Sequence, residues 1–170
     1  MEFKLRYFGD PVLRKKSDEI DLFDPELGEL AEELVRLMYI YDGAGLAAPQ
    51  IGLSTRIFAM DDGSEKGLRV VVNPRILEKS ENMQILEEGC LSLPDIFEKV
   101  PRAETVRVEY QDVHGQKHSE TLSGYASTIF QHETDHLDGV LFIDYLGVSK
   151  RRLLGKKLRE IKKMAARVLR

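Results

Sequence analysis

Residues 131–137 read Gln-His-Glu-Thr-Asp-His-Leu and contain the pattern H-E-x-x-H within a segment of predicted helix. On a helix, His132 and His136 lie one above the other, so both imidazoles can reach one metal ion. Glu133 projects from the same end of the motif and can accept a proton from metal-bound water. The pattern is short enough to arise by chance on a solvated helix, so the metal site depends on finding a third ligand.

A catalytic zinc-type site needs a third protein ligand beside the two histidines. Thermolysin-like enzymes supply a glutamate downstream of the motif, but the only one here is Glu160, deep in a basic segment. Cys90 is the better candidate and lies in residues 87–94 (EEGCLSLP), a strand or turn flanked by Gly and Pro. Since a lone cysteine can also be an inert buried apolar residue, the residues alone leave this ligand open.

Periodicity outward from the motif predicts an α+β fold, with small antiparallel or mixed sheets around a central H-E-x-x-H helix. That helix runs from about Ser123 to Leu137, with Gly139 ending it. An N-terminal helix begins at Asp24 and Pro25, and Gly43 is expected to stop it. The predicted strands cover residues 55–60, 68–72, 106–111, 118–122 and 140–143, with a hairpin turn at His114 and Gly115.

The last segment, residues 149–169, is predicted to be a basic amphipathic helix. Leu154, Leu158, Ile161, Ala165 and Val168 recur at helical spacing and form an apolar stripe. Residues 150–170 hold ten Lys and Arg against one Glu, although the whole chain has a net charge of −4. The rest of the chain is therefore acidic, and this helix can bind an acidic surface.

Length and composition favour one catalytic domain spanning residues 1–170. The single cysteine excludes an internal disulfide and favours a reducing cytosol. Charged residues interrupt every apolar run near the N-terminus, and no run is long enough to span a bilayer. We therefore expect a cytoplasmic protein.

Three segments together resemble the signature motifs of the peptide deformylase family. Residues 43–50 (GAGLAAPQ) resemble its GxGLAAxQ, residues 88–92 are its EGCLS, and residues 131–137 resemble its QHExDHL. All three stand in the family's order, and the similarity covers most of the chain. The resemblance implies metal-dependent hydrolysis of the N-formyl group from the N-terminal formyl-methionine of newly synthesised polypeptides, releasing formate.

The resemblance also implies a metal site. The expected ligands are Cys90, His132 and His136, with a fourth position open to water. Ligand softness permits Fe²⁺, Zn²⁺, Ni²⁺ or Co²⁺, and the behaviour of the family points to Fe²⁺ in the cell.

The resemblance assigns catalytic roles to three further groups. Glu133 is expected to act first as general base and then as general acid. The side-chain amide of Gln50 and the backbone N–H of Leu91 are expected to stabilise the oxyanion of the tetrahedral intermediate.

Five residues are expected to bind the substrate. Gly45 and Gly89 would let an extended peptide approach closely and add as a strand. Tyr125, Thr128 and Ile129 lie seven, four and three residues before His132, so they share its helix face. They form either a pocket for the methionine side chain or part of the core.

Two positions depart from many bacterial family members. Phe97 stands where many of them carry Arg, and Tyr125 stands where many carry Leu. Neither position concerns the metal or the base, so the departures bear on the finer substrate preference.

The expected partners are nascent formylated polypeptides and, through the basic helix, ribosomal RNA; an anionic membrane surface is the rival partner. DNA binding is not expected. Two other functions stay open from the residues: an H-E-x-x-H endopeptidase with a Cys ligand, and a non-enzymatic ribosome-binding module with a structural metal. The second needs a fourth ligand, for which only His114 or His118 is spare, and both are expected to be surface residues.

Overall fold

The computed structural model describes residues 3–170. Its elements are the helices α1 (Pro25–Ile40), α2 (Gly124–Leu137), α3 (Val148–Leu153) and α4 (Gly155–Val168), and the strands β1 (Gly45–Ala47), β2 (Ile57–Met60), β3 (Arg69–Lys79), β4 (Met83–Cys90), β5 (Leu93–Ala103), β6 (Thr105–Gln111) and β7 (Lys117–Ser123). The predicted α+β class is confirmed.

The strands form two antiparallel sheets. Five of them pair in the order β1-β2-β3-β6-β7, and β4 pairs with β5 in a separate two-stranded sheet. In β6 the buried Val106, Val108 and Tyr110 alternate with exposed residues, as the period of two predicts. The predicted hairpin of β6 and β7 is confirmed, and its turn contains Gly115 with a φ of 81°.

Helix α2 lies at the centre of the fold and is buried along most of its length. Its Phe130 packs edge-on against Phe58 of β2, with ring centroids 5.3 Å apart. Gly139 adopts a left-handed φ of 74° just after the helix, so the predicted end is confirmed. The motif helix therefore packs directly against the larger sheet.

Helix α1 begins as predicted, because the Asp24 carboxylate accepts a hydrogen bond from the N–H of Leu27 at 3.1 Å. Its end differs from the prediction. The left-handed residue is Asp42, with a φ of 56°, and Gly43 donates its N–H to the carbonyl of Met38 at 2.9 Å. Gly43 thus closes the last turn, and the left-handed conformation is taken by the residue before it.

The strand predicted over residues 140–143 is wrong. The chain there is extended only as far as Leu141, and Phe142–Tyr145 forms a 3₁₀ helix. The Asp144 carboxylate accepts a hydrogen bond from the N–H of Leu141 at 3.0 Å and stabilises this turn. A short buried apolar run does not by periodicity alone distinguish a strand from a buried helical turn.

The predicted basic helix is divided in two. α3 ends at Leu153, and α4 begins at Gly155 after the junction residue Leu154. The predicted apolar stripe of α4 does pack inward, with Ile161 and Ala165 buried. None of the helices within residues 3–170 is long and apolar enough to cross a membrane.

Candidate metal centre and substrate cleft

Three potential metal ligands from two parts of the chain meet at one point. Cys90 ends β4, while His132 and His136 lie one turn apart on α2. One ligand atom of each residue lies within 4.8 Å of the others, and Cys90 Sγ is 3.3 Å from His136 Nε2. Both histidines are buried and the cysteine is half-buried. The structure thus brings together the three ligands that the resemblance implied.

The donor chemistry of this cluster fits a divalent transition metal. One thiolate and two imidazoles match the ligands of catalytic zinc and related sites, which use three protein donors and keep one position open. No fourth His, Cys, Asp or Glu joins the cluster within residues 3–170. His114 and His118 lie at the hairpin of β6 and β7, and Glu160 is exposed on α4. A closed four-ligand site and a thermolysin-like ligand set therefore receive no support.

Glu88 orients His132. Its Oε1 lies 2.8 Å from His132 Nδ1, and this contact assigns the proton to Nδ1 and leaves Nε2 for a metal. Arg102 donates two hydrogen bonds to the same carboxylate, each 2.9 Å long. Burial opposes ionisation of Glu88, but the hydrogen bonds with His132 and Arg102 keep its pKa below the usual value.

Arg102 connects this carboxylate to the motif helix. Its Nη1 donates to Asp135 at 2.6 Å, and the hydroxyl of Tyr145 donates to the same carboxylate at 2.8 Å. The guanidinium also lies 4.6 Å from the centroid of the Tyr145 ring. The metal-binding end of α2 is therefore tied to β4, to β5 and to the 3₁₀ helix.

The two histidines of the cluster have pKa values that are shifted in opposite directions. Burial opposes protonation of His132, but hydrogen bonds with Cys90 and Glu88 raise its pKa well above the usual value. Burial and the neighbouring His132 lower the pKa of His136 well below it. The two shifts are coupled, because the imidazole rings lie side by side with centroids 5.0 Å apart.

Glu133 is a buried carboxylate without a partner. Its Oε2 makes no hydrogen bond to any residue in the described part of the chain. Burial raises the pKa of Glu133 to about 7, with a smaller opposing effect from His132. A carboxyl group with a pKa near neutrality can both accept and release a proton at physiological pH.

Gln50 is held against the cluster by the 3₁₀ helix Ala48–Ile51. Its Oε1 accepts a hydrogen bond from the N–H of Ala47 at 2.9 Å. Its Nε2 then donates to the hydroxyl of Ser92 at 3.2 Å and lies 3.5 Å from Cys90 Sγ. Leu91 follows Cys90 at the turn between β4 and β5, so its backbone N–H lies beside the cluster.

A cleft of about 420 Å³ opens beside the cluster. Its walls contain all five predicted substrate-binding residues, which are Gly45, Gly89, Tyr125, Thr128 and Ile129. Ile129 is buried and serves both the core and the cleft, whereas Tyr125 is half-exposed at the mouth. Ile129 thus belongs to the core as well as to the cleft wall, whereas Tyr125 is not a core residue.

Several site residues were not predicted from the sequence. Glu88 and Ser92 were recognised only as parts of a motif, and Arg102 was not identified. Each acts through a contact with a residue distant in the sequence, so a local pattern does not indicate its role. Phe97 was noted as a departure, and it lines the cleft with its ring against Gly89.

Comparison with known proteins agrees with this geometry. The family model described as polypeptide deformylase matches residues 3–152. A peptide deformylase from Thermotoga neapolitana is 50% identical over 163 residues, which cover 96% of this chain and 98% of the relative. One from Fusobacterium nucleatum is 42% identical over 170 residues, covering 99% and 97%.

Solved structures show the same similarity. The crystal structure of peptide deformylase from Thermus thermophilus matches with a TM-score of 0.90 and 43% identity, covering 96% of this chain and 99% of that one. Peptide deformylase from Thermotoga maritima matches with a TM-score of 0.83 and 47% identity, covering 86% and 99%. On sequence, fold and arrangement of the cleft, the chain belongs to the polypeptide deformylase family.

Proposed function

We propose that Cys90, His132 and His136 hold the metal of a peptide deformylase and that Glu133 carries its protons. As a member of this family, the protein is a hydrolase that removes the N-formyl group from newly synthesised polypeptides. The observation that supports the residue roles best is the unpartnered carboxylate of Glu133 beside three convergent donors at one cleft.

Glu133 performs the proton transfers. A divalent cation, if bound by Cys90, His132 and His136, would supply Lewis acidity to the formyl group and would lower the pKa of a water molecule in the cleft. Glu133 takes a proton from the water as its oxygen attacks the formyl carbon. It then delivers that proton to the departing α-amine, so that formate and a free amino terminus result.

Gln50 and Leu91 stabilise the oxyanion of the tetrahedral intermediate. Gln50 Nε2 is preorganised because Ala47 fixes the orientation of its amide. The N–H of Leu91 is positioned by the preceding Cys90. Removing one such donor typically costs about 2.7–4 kcal/mol of transition-state stabilisation.

The substrate is bound as an extended peptide. Gly45 and Gly89 let its backbone approach the two walls of the cleft. Tyr125, Thr128 and Ile129 form the wall that receives the methionine side chain. A hydrogen bond of 2.9 Å from Gln84 Nε2 to Thr128 Oγ1 ties this wall to β4.

For the metal itself, we propose Fe²⁺ in the cell. The sulfur and nitrogen donors also admit Zn²⁺, Ni²⁺ and Co²⁺ and therefore do not select one ion. The choice of Fe²⁺ rests on the resemblance to the family. The oxidisable thiolate of Cys90 then makes preparations sensitive to air.

The test is formate release from formyl-Met-Ala-Ser by anaerobically prepared protein. We expect release by the wild type and almost none by Glu133→Ala. An intact protein substrate is the matched control, because a Cys-ligated H-E-x-x-H endopeptidase would cleave its internal peptide bonds. Internal cleavage, or no formate from folded and metal-loaded protein, would contradict the proposal.

We further propose that α3 and α4 dock on ribosomal RNA, in the cytosol, where nascent chains emerge. Eight exposed cations of these helices belong to none of the ion pairs formed within residues 3–170: Arg151, Arg152, Lys156, Lys157, Arg159, Lys162, Lys163 and Arg167. A membrane-surface helix needs a free apolar face. In α4, Ile161 and Ala165 of the apolar stripe are already buried against the body, which favours RNA over a bilayer for this helix.

Co-sedimentation with ribosomes at rising salt tests this proposal. Arg159→Glu with Lys163→Glu should weaken binding and reduce its salt dependence, because each cation that contacts a phosphate releases counterions. Lys66→Glu, a charge reversal at an exposed lysine outside α3 and α4, is the control. Binding to anionic vesicles with none to ribosomes would overturn the proposal.

A further inference from the structure

The two-stranded sheet has an exposed face rich in apolar side chains, which we call the outer face. It contains Met83 and Ile85 on β4 and Phe97 and Pro101 on β5. Met83, Ile85 and Phe97 are 57%, 64% and 62% exposed. Three large apolar side chains are therefore exposed together on one sheet face.

Strand register defines this face. Ile85 pairs with Pro101, Glu87 with Lys99, and Gly89 with Phe97, and directly opposed residues point to the same side. The alternate residues of β4 point the other way, towards α2. Gln84 contacts Thr128 there, and Glu88 contacts His132.

The outer face is continuous with the substrate cleft. Glu87, Gly89 and Phe97 belong to the outer face and also line the cleft. The Phe97 ring covers Gly89, since a Cβ built on Gly89 would lie 2.6 Å from Phe97 Cε1. A peptide that leaves the cleft along β4 therefore passes onto the outer face.

Both strands that border the cleft have an edge without a partner strand in the part of the chain that the structure describes. β4 pairs only with β5, and β1 pairs only with β2. The carbonyl of Ala44 accepts a hydrogen bond from Asp61 beyond β2 at 2.8 Å. By the alternation of backbone groups, those of Gly45 point away from β2 and are free to pair with a peptide.

The position of the metal ligands sets the direction of the peptide. The formyl group must lie beside Cys90, at the C-terminal end of β4, so downstream residues run back towards Met83 and antiparallel to β4. The methionine side chain enters the wall formed by α2. Because successive side chains alternate, residues two, four and six of the substrate then point to the outer face.

We propose that the outer face binds the even-numbered side chains of the nascent chain downstream of formyl-methionine and favours apolar residues at those positions. This inference rests on the proposed function. The second residue lies nearest Phe97, and later even-numbered residues progress towards Ile85 and Met83.

The size of the surface fits a single extended strand better than a second copy of the protein. The stretch from Met83 to Gly89 is roughly 20 Å long, and two strands are roughly 10 Å wide, which gives an area of about 200 Å². A stable protein–protein interface needs about 800 Å² on each partner. The Glu87 and Lys99 pair also interrupts the apolar surface.

The first test compares two heptapeptides of equal composition on the wild-type protein. One is formyl-Met-Leu-Ser-Leu-Ser-Leu-Ser and the other is formyl-Met-Ser-Leu-Ser-Leu-Ser-Leu. We expect kcat/KM for the first to be roughly tenfold higher, mainly through KM, which corresponds to about 1.4 kcal/mol. Equal values, or a preference for the second peptide, would overturn the inference.

The second test uses the double variant Met83→Ser with Ile85→Ser. Its preference for the first heptapeptide should fall by a factor of about three or more. Leu22→Ser, a change at an apolar residue that is 70% exposed outside the cleft, should keep the preference. An unchanged preference in the double variant, or a change in its oligomeric state by light scattering with no change in preference, would contradict the inference.

Formyl-Met-Ala-Ser distinguishes a failure of the inference about the outer face from a failure of the proposed function. It is too short to reach Ile85 or Met83. If the wild type releases formate from this tripeptide but does not distinguish the heptapeptides, the inference fails while the proposed function stands. If the tripeptide is not deformylated, the proposed function fails.

Discussion

The Cα atom of Gly45 lies against the carboxylate of Glu133. A methyl group at position 45 would lie 2.7 Å from Glu133 Cδ and 2.8 Å from its Cγ. Only glycine leaves the room that this buried carboxylate requires, so β1 and the H-E-x-x-H helix fit closely together at this contact.

Gly45→Ala should therefore displace Glu133 and reduce kcat/KM for formyl-Met-Ala-Ser by roughly 100-fold, as a misplacement of about 1 Å can. The metal content should be unchanged, because Glu133 is not among the three donors. Gly28→Ala is the control, since nothing lies within 4 Å of the added methyl group. Full activity of Gly45→Ala would show that the position of Glu133 is not critical.

Glu88→Ala should weaken metal binding by about 10- to 100-fold, because His132 loses the partner that orients its ring. It should also lower the free energy of unfolding by about 3–5 kcal/mol, since Arg102 keeps its buried charge with only Asp135 left. Competition with a chelator and chemical denaturation measure the two effects.

The adjacent Glu87→Ala is the matched control for Glu88→Ala, because Glu87 is exposed and makes no ion pair within residues 3–170. Both quantities should stay near their wild-type values in this variant. Equal losses in the two variants would mean that the buried network does not support the metal centre.

Patterns local in sequence predicted much of the fold. The helical spacing of apolar residues in α1 and the alternation in β6 predicted those elements, because one face of each is buried. β5 was not predicted as a strand. Its sequence contains Pro94, Pro101 and several charged residues, and Arg102 faces inward. Charge and proline obscure the period of two there.

The residues of the candidate site were likewise predicted only in part. The metal donors, Glu133 and Gln50 stand in short motifs, and the structure brings them together. The role of Glu88 depends on Arg102, and that of Ser92 depends on Gln50, so both roles exist only after folding. The outer face could not be predicted either, because Met83 and Ile85 stand in a strand that the local pattern does not indicate.

A partly exposed ion pair makes stability depend on pH. Burial opposes ionisation of Asp144, but hydrogen bonds from Arg14 and the N–H of Leu141 keep its pKa below the usual 3.8. The stabilisation is therefore fully present above pH 3.8 and is lost as pH falls through the lower pKa of the folded state.

Asp144→Asn should accordingly destabilise the protein near pH 7 by about 0.5–1 kcal/mol, a value reduced by solvent screening. The difference between variant and wild type should shrink steadily below pH 3.8. Urea denaturation at several pH values measures it. If the difference in stability between Asp144→Asn and the wild type stays constant down to the lowest pH measured, the ionised Asp144 carboxylate does not cause it.

Exchange of the metal tests the proposed Fe²⁺ form. Zinc-loaded protein should be folded yet roughly tenfold or more slower than the anaerobic Fe²⁺ protein, a barrier difference of about 1.4 kcal/mol. Air should inactivate the Fe²⁺ form while the free-thiol titre of Cys90 falls. A zinc form as active as the Fe²⁺ form would contradict the proposed ion.

We propose that three side chains hold the metal while Glu133, adjacent to them, serves only as the proton carrier. The most direct measurement determines bound metal per chain and formate turnover together for the wild type, Glu133→Gln and His136→Ala, all prepared anaerobically. Glu133→Gln should keep the wild-type metal content and lose about a thousandfold in kcat. His136→Ala should lose both. Loss of metal from Glu133→Gln, or turnover of this variant close to that of the wild type, would contradict these assignments.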